Sequence, residues 1–497
     1  MPRGWLSPKG RVLARVGVGV LTYVVPPGLV DEAAAGARET RFRSLPARLA
    51  VYFVLGTCLF SGVPYARVLA ALARGLEGPL AAAGWAFPAV TALSGARRRL
   101  GEAPLERLFR LVAGPLGPGR EPWALVSGLV AVAWDGTTFA AEATAVNAAA
   151  FGRVGKRGDG GGHYPLLRVV ALVACGTRGL LGAEAGPARG RGCGERELAG
   201  KLTGVLGPGM LLLADRGFYS WKLRNAAAAR AHLLWRVSVS LHLPVVRVLP
   251  DGSWLSRVRS PREKGNRYRK NKRRVDKGQA PDLSPLPAVT VRVIEFALAV
   301  TGDDGRTRTQ RYRLVTTLLD HRAHPAAVLA AGYARRWGIE LAYREIKAGL
   351  RGPRVLLTGA TPDLARQQMW AYLVIYQAVR ALIARAAAGA GADPARLSFT
   401  AALAAARDGL AGARDRMPAA LAAHEAAVLA APVPERKGRV YPRTVKAPPA
   451  LYESRKAPAA RISQHARCTI TVTAPHPPTP QQQDQRKHHE KQPAHAP

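Results

Sequence analysis

Three carboxylates in a strongly basic chain stand where chemistry could be done: Asp135, Asp215 and Glu340. Glu340 lies in YARRWGIELAYREIK, where Tyr333, Arg336, Glu340 and Lys347 stand at offsets 0, 3, 7 and 14. On a helix turning about 100° per residue, those offsets fall within roughly 60° of one another, so an acid, two cations and a phenol share one face. Ile339, Ile346 and Leu350 form a neighbouring apolar stripe that can dock the helix on a core, and Glu345 points away from both. A carboxylate fixed among cations suits a metal site that also grips phosphates. The alternative is a surface helix laced with i,i+4 pairs such as Arg336–Glu340 and Glu340–Arg344.

Asp135 and Asp215 each end an apolar run, in ALVSGLVAVAWDGTTF and GPGMLLLADRGFYS, and are predicted at the ends of buried strands. A lone strand-end Asp is usually a turn former or a helix cap. Two of them, joined by a Glu on a basic amphipathic helix, make an oxygen donor set for hard divalent cations such as Mg²⁺. Two such ions can activate an attacking oxygen and stabilise a leaving one in phosphoryl transfer. The order strand, strand, helix permits the three acids to converge.

The elements that must position these groups follow from the pattern. Residues 1 to about 115 read as helical, with apolar periodicity in 44–60, 64–75, 87–100 and 103–113. The pair 64–75 and 87–100 fits a helix-turn-helix-like unit whose second helix ends in Arg97, Arg98 and Arg99. That end is either a DNA reader or a solvated helix end complementing its dipole. Residues 164–186 read as two strands around a Gly turn, and 220–230 as a helix. From about 231 to 320 the pattern is β-rich. Within it, PREKGNRYRKNKRRVDKG (261–278) is predicted as a basic loop, with Arg269, Lys270, Lys272, Arg273 and Arg274 as DNA-backbone contacts. Helices resume at 324–350 and 362–388 and continue, alanine-rich, to about 431. The remainder is predicted to be disordered.

The balance of 73 Lys+Arg against 33 Asp+Glu, a net charge of +40, implies a polyanionic partner, nucleic acid first. A basic structural protein of the nucleoid or ribosome shares that charge but does not need three acids on strands and a helix. Cys58, Cys175, Cys193 and Cys468 have no paired spacing, which excludes a zinc motif or disulfide framework and fits a reducing cytoplasm. No apolar run reaches 18 residues, so no membrane span is expected.

WDGTTF, ADRGFYS and YARRWGIELAYREIK together resemble the three catalytic blocks of the DDE transposases of the insertion-sequence-four family. The last block matches that family's Y-x2-R-x3-E-x6-K pattern at all four positions, and VYPRTVK near 440 is similar to its C-terminal flank. The resemblance spans roughly residues 10–455.

It implies an α/β fold: an RNase H-like core in two parts, 119–232 and 321–431, interrupted by a β-rich insertion at 233–320. An all-helical DNA-binding region, 1–118, would precede it and a disordered basic tail, 432–497, would follow. Asp135, Asp215 and Glu340 would hold two Mg²⁺ or Mn²⁺ ions, with Tyr333, Arg336 and Lys347 gripping phosphates. Trp337 is expected in the helix's docking surface or against a base, and Trp235 and Trp254 either in the core or stacked on an extruded base.

The implied reaction is hydrolysis at the element's end and attack of the freed 3′-hydroxyl on target DNA, directly or after a hairpin with the opposite strand. The implied partners are terminal inverted repeats and target DNA, bound by a homodimer without a membrane, on the nucleoid in the cytoplasm. A related metal-dependent nuclease and a decayed or domesticated DNA binder without catalysis are the competing readings.

Overall fold

The computed structural model describes residues 5, 7–36, 43–117, 119–153, 164–190, 192–284, 286–301, 307–352, 355–410, 416–433, 438–439 and 465–472. The chain divides into two compact units, residues 1–232 with 333–464, and residues 233–332 with 465–497.

The first unit begins with helices α1 (Pro8–Leu13), α2 (Pro27–Ala33), α3 (Ala47–Leu59), α4 (Tyr65–Ala73), α5 (Glu77–Ala82), α6 (Val90–Leu100) and α7 (Ala103–Val112). The periodic segments read from the sequence correspond to α3, α4, α6 and α7. A sheet follows: β1 (Leu125–Val126), β2 (Leu129–Ala140), helix α8 (Ala145–Phe151), β3 (Leu166–Ala174), β4 (Leu180–Pro187), helix α9 (Glu195–Lys201) and β5 (Met210–Ala214). Helix α10 (Trp221–Ala228) follows β5, its first turn capped by the Ser220 hydroxyl on the Leu223 N–H.

The strand order β5-β2-β3-β4 places β2 at the centre, parallel to β5 and antiparallel to β3. A central strand is covered on both faces and so reads as an unbroken apolar run, as LVAVAW does. The β1–β2 hairpin turns on Ser127 (φ 52°) and Gly128 (φ 80°), the paired positive φ values that a two-residue loop requires.

The second unit is built on β6 (His232–Val237), β7 (Arg247–Val248), β8 (Trp254–Arg259), helix α11 (Pro261–Val275), β9 (Ala288–Thr301), β10 (Thr307–Thr316) and helix α12 (Ala326–Gly332). Strand β9 pairs antiparallel with both β8 and β10, and β10 with β6. Its core holds Trp235, Trp254 and a fully buried Arg292, whose guanidinium donates to Ser253 Oγ at 2.8 Å and His324 O at 2.6 Å and pairs with Asp251.

Two expectations fail here. Residues 261–275 form helix α11, not a loop. The missed signal is Ser260-Pro261-x-Glu263, a capping Ser before Pro at the first helical position and an acid in the first turn. The region expected to be a disordered tail contributes a strand, residues 465–472, antiparallel to β9 from Arg467↔Thr301 to Val472↔Phe296. The β-forming run Thr469-Ile470-Thr471-Val472 pairs there despite the polar composition around it. Residues 440–464, with the VYPRTVK segment, and 473–497 lie outside the described residues.

The chain returns to the first unit through a 3₁₀ turn (Tyr333–Arg336), α13 (Trp337–Arg344) and a π-helical turn (Glu345–Leu350). Helices α14 (Pro362–Gly389), α15 (Phe399–Asp408) and α16 (Met417–Leu429) complete it. By length and composition α14 is apolar enough to cross a membrane, though no uninterrupted apolar run marks it in the sequence; 78% of its most apolar stretch is buried inside the structure.

Candidate active site

Parallel pairing brings the two aspartates to adjacent strands. The β2–β5 register ends at Ala133↔Leu213, and carrying it two residues further sets Asp135 beside Asp215. Neighbouring strands lie about 4.8 Å apart. Asp215 follows the end of β5, as expected. Asp135 does not end its strand: β2 runs on to Ala140, because Gly136, Thr137 and Thr138 keep pairing with β3. Its carboxylate accepts the Gly136 N–H at 2.8 Å.

The third acid arrives on α13. Ile339, Ile346 and Leu350 are buried, as the apolar stripe required. Arg336 is the link between the acids: its guanidinium donates to Glu340 at 2.8 Å and stands 3.9 Å from the Asp135 carboxylate. Burial raises the pKa of Asp135 to about 6, against the Gly136 N–H and Arg336, which lower it; Glu340 and Glu195 raise it further. Among the described residues, no three His, Cys, Asp or Glu side chains already form a cluster ready to hold a metal.

The signature segment is not one uniform α-helix, so the shared face read from its spacing holds only in part. Tyr333 is buried, and its hydroxyl donates to the Ala214 carbonyl at 3.1 Å, immediately before Asp215. It braces the strand end in this structure, where the family resemblance implied a phosphate contact. Lys347 falls in the π turn, its Nζ 5.5 Å from the centre of the Phe139 ring on β2. Glu345 is anchored among Arg178, at 2.8 Å, and the fully buried Arg380. Trp337 is not packed in the docking surface: it is 49% exposed, with Arg336 near its ring.

Two residues near the acids were missed. Tyr343 accepts the Ala171 N–H at 3.1 Å and donates to the Asp135 carbonyl at 2.7 Å. Its position three residues after Glu340 was the available signal. Glu195, in the first turn of α9, lies over Gly136: a Cβ there would stand 2.5 Å from its carboxylate. Only the scarcity of acids could have singled it out.

The outlying basic residues divide. Arg97 is a correction: it is 3% exposed, and its guanidinium donates to Gln367 Oε1 at 3.1 Å, to Thr358 O at 3.2 Å and to the Tyr65 hydroxyl. It locks α6 to α14 and offers nothing to DNA. Arg98 and Arg99 are exposed. In the second unit, Arg269, Lys270, Lys272 and Arg273 are exposed on α11, whereas Arg274 is half-buried and donates to Ala280 O at 2.7 Å.

Comparison with known proteins fits this arrangement. Residues 128–377, about half the chain, match the family model described as transposase DDE domain. Residues 15–110 match the insertion element 4 transposase N-terminal model. The chain belongs to the insertion-sequence-four family of DDE transposases. It is 28% identical over 372 residues to the transposase InsG for insertion sequence element IS4 of Escherichia coli (strain K12), covering 74% of this chain and 77% of that protein. It is 30% identical over 183 residues to the putative transposase InsZ of the same strain, 36% of this chain and 56% of that one. A piggyBac transposase in a synaptic complex with hairpin DNA aligns over 80% of this chain and 81% of its own, at 9% identity and a TM-score of 0.40. The protein is a transposase, an enzyme that cuts and joins DNA and requires a divalent metal.

Proposed function

We propose that this transposase cuts at the ends of its insertion sequence and joins them to target DNA at Asp135, Asp215 and Glu340, on an RNase H-like core. The observation that carries the reading is Arg336, which bonds Glu340 at 2.8 Å and stands 3.9 Å from Asp135, on a strand paired in parallel with the one that Asp215 follows.

The donor set fits two Mg²⁺ or Mn²⁺ ions. All three groups are hard carboxylate oxygens, and partial burial raises the pKa of Asp135 to about 6, a cost that bound divalent cations would offset. When bound, the ions activate the attacking oxygen and neutralise the leaving one. The chain's own groups do the rest. Tyr333 and Tyr343 hold the backbone next to Asp215 and at Asp135. Arg336 transfers its donors from the carboxylates to a phosphate oxygen, and Lys347 adds a point charge for a neighbouring phosphate. Trp337 is exposed and offers its ring to a nucleobase. Water breaks the bond to the 3′ oxygen at the element's end, and the freed 3′-hydroxyl attacks a phosphodiester of target DNA.

DNA beyond the acids is held by the helical region 1–118 through Arg98 and Arg99, and by Arg269, Lys270, Lys272 and Arg273 of α11 in the insertion. A homodimer on paired terminal inverted repeats, acting on the nucleoid in the cytoplasm, completes the reading.

The test is cleavage of a labelled duplex carrying the element's own end with Mg²⁺ or Mn²⁺. The wild type should yield a 3′-hydroxyl end, while Asp135→Asn, Asp215→Asn and Glu340→Gln bind without cutting. Cutting by all three at the wild-type rate would overturn the assignment.

A further inference from the structure

Four residues beyond Asp135, β2 carries Phe139, whose ring is fully buried. Two cations stand over that one ring, Lys347 Nζ at 5.5 Å and the Arg351 guanidinium carbon at 5.4 Å from its centre. Arg351 directly follows the π turn, and its backbone is fixed. Its N–H donates to Ile346 O at 2.9 Å, and its carbonyl accepts from Ser61 Oγ at 2.7 Å, which in turn lies 3.0 Å from the Tyr372 hydroxyl.

The side chain, by contrast, is incompletely partnered. Its Nε and Nη1 are buried and make no hydrogen bond among the described residues. Arg48, Arg97 and Arg380 of this unit are bonded, to Asp31, Gln367 and Glu345, and among the described residues Arg168 and Arg336 each leave only the buried Nε without a hydrogen-bond partner. Burial pushes the Arg351 pKa below its ordinary value. Two donor nitrogens of a desolvated cation left without partners beside a second cation are costly in a finished fold, and an anion would relieve the cost.

We propose that Arg351 binds a DNA phosphate, set with Lys347 on the Phe139 ring. Four residues of β-strand span about 13 Å, so this phosphate is a different one from that cleaved at Asp135. The proposal rests on the reading of Asp135, Asp215 and Glu340 as the cutting site. Arg351 lies outside the family signature, which ends at Lys347.

The test uses the full chain and a duplex of the element's end. Arg351→Met keeps an apolar stem over Phe139 and removes the charge. It should weaken end binding about tenfold or more, lower the slope of log K against log salt by about 0.9, and leave the Tm unchanged or raised. A neutral methylphosphonate walked along the end should weaken the wild type at one position to which Arg351→Met is indifferent.

A lowered Tm with an unchanged salt slope would make Arg351 a structural residue and overturn the proposal. If Arg351→Met does not fold, Arg351→Lys decides, since it keeps the charge but not the fork. Sensitivity at that one phosphate should fall, and an unchanged methylphosphonate profile would overturn the proposal. Failure of the wild type to bind or cut its own end would instead sink the functional reading. A wild type that cuts, with an Arg351→Met variant matching it in binding, would remove Arg351 alone.

Discussion

The Tyr343 hydroxyl donates to the Asp135 carbonyl at 2.7 Å and accepts the Ala171 N–H at 3.1 Å, two residues facing each other across the β2–β3 ladder. One phenol on α13 therefore sets the helix that carries Glu340 against the strand that carries Asp135. Tyr343→Phe leaves a buried carbonyl and a buried N–H short of a partner, and should cost about 1–3 kcal/mol of stability. Cleavage should fall far more than end binding. Denaturant melts and single-turnover cleavage at saturating protein measure the two effects, and equal losses in binding and cutting would argue against a role in aligning the acids.

Asp135 predicts a pH signature in the metal-free chain. Its folded pKa is about 6 against an ordinary 3.8, so the folded state holds the proton more tightly than the unfolded state. The sign follows: the destabilisation is absent below about pH 4, grows as pH rises, and is complete above pH 6. At 1.36 kcal/mol per unit it reaches about 3 kcal/mol. Asp135→Asn keeps an acceptor for the Gly136 N–H and removes the charge. Its Tm in EDTA should match the wild type near pH 4 and exceed it at pH 7.5, while cleavage is lost. A gap that shrinks as pH rises would contradict the assignment.

The three arginines closing α6 should behave differently. Arg97→Met strands Gln367 and Thr358 and should cost about 2–4 kcal/mol, with the salt dependence of DNA binding unchanged for the folded fraction. Arg98→Ala with Arg99→Ala should leave the Tm within a degree or two and flatten the salt slope by up to about 2. Thermal melts and binding at three salt concentrations separate them.

Helix α11 is held by polar contacts on one side. Arg267 donates to Asp282 O at 2.9 Å and Ser284 O at 2.7 Å, and Asn271 donates to Asp282 O at 3.0 Å. Removing the outward charges with Arg269→Ala and Arg273→Ala should lower DNA affinity and salt slope without changing helix content by circular dichroism. Arg267→Ala should instead melt the helix.

Much of this site was legible because its groups are held by simple patterns. Asp135 and Asp215 follow long apolar runs, and Glu340 lies on a helix whose stripe of Ile339, Ile346 and Leu350 is buried as its spacing required. What escaped depends on partners distant in sequence. Arg97 looks like a solvated helix end until Gln367, 270 residues away, accepts its proton. Tyr333 looks like a phosphate ligand until Ala214 takes its hydroxyl. The π turn at Glu345–Leu350 could not be read from an ideal wheel, since it accompanies the burial of Glu345 between Arg178 and Arg380. Helix α11 was readable from its Ser-Pro-x-Glu start, but its weight of charge suggested a loop.

Glu340, if it completes a cutting site with Asp135 and Asp215, is needed for excision. A marker placed between the element's native ends on a donor plasmid reads this, with the wild type and Glu340→Ala compared at matched protein levels. Excision is expected from the wild type alone, with end binding retained by both. Equal excision by the two would contradict it.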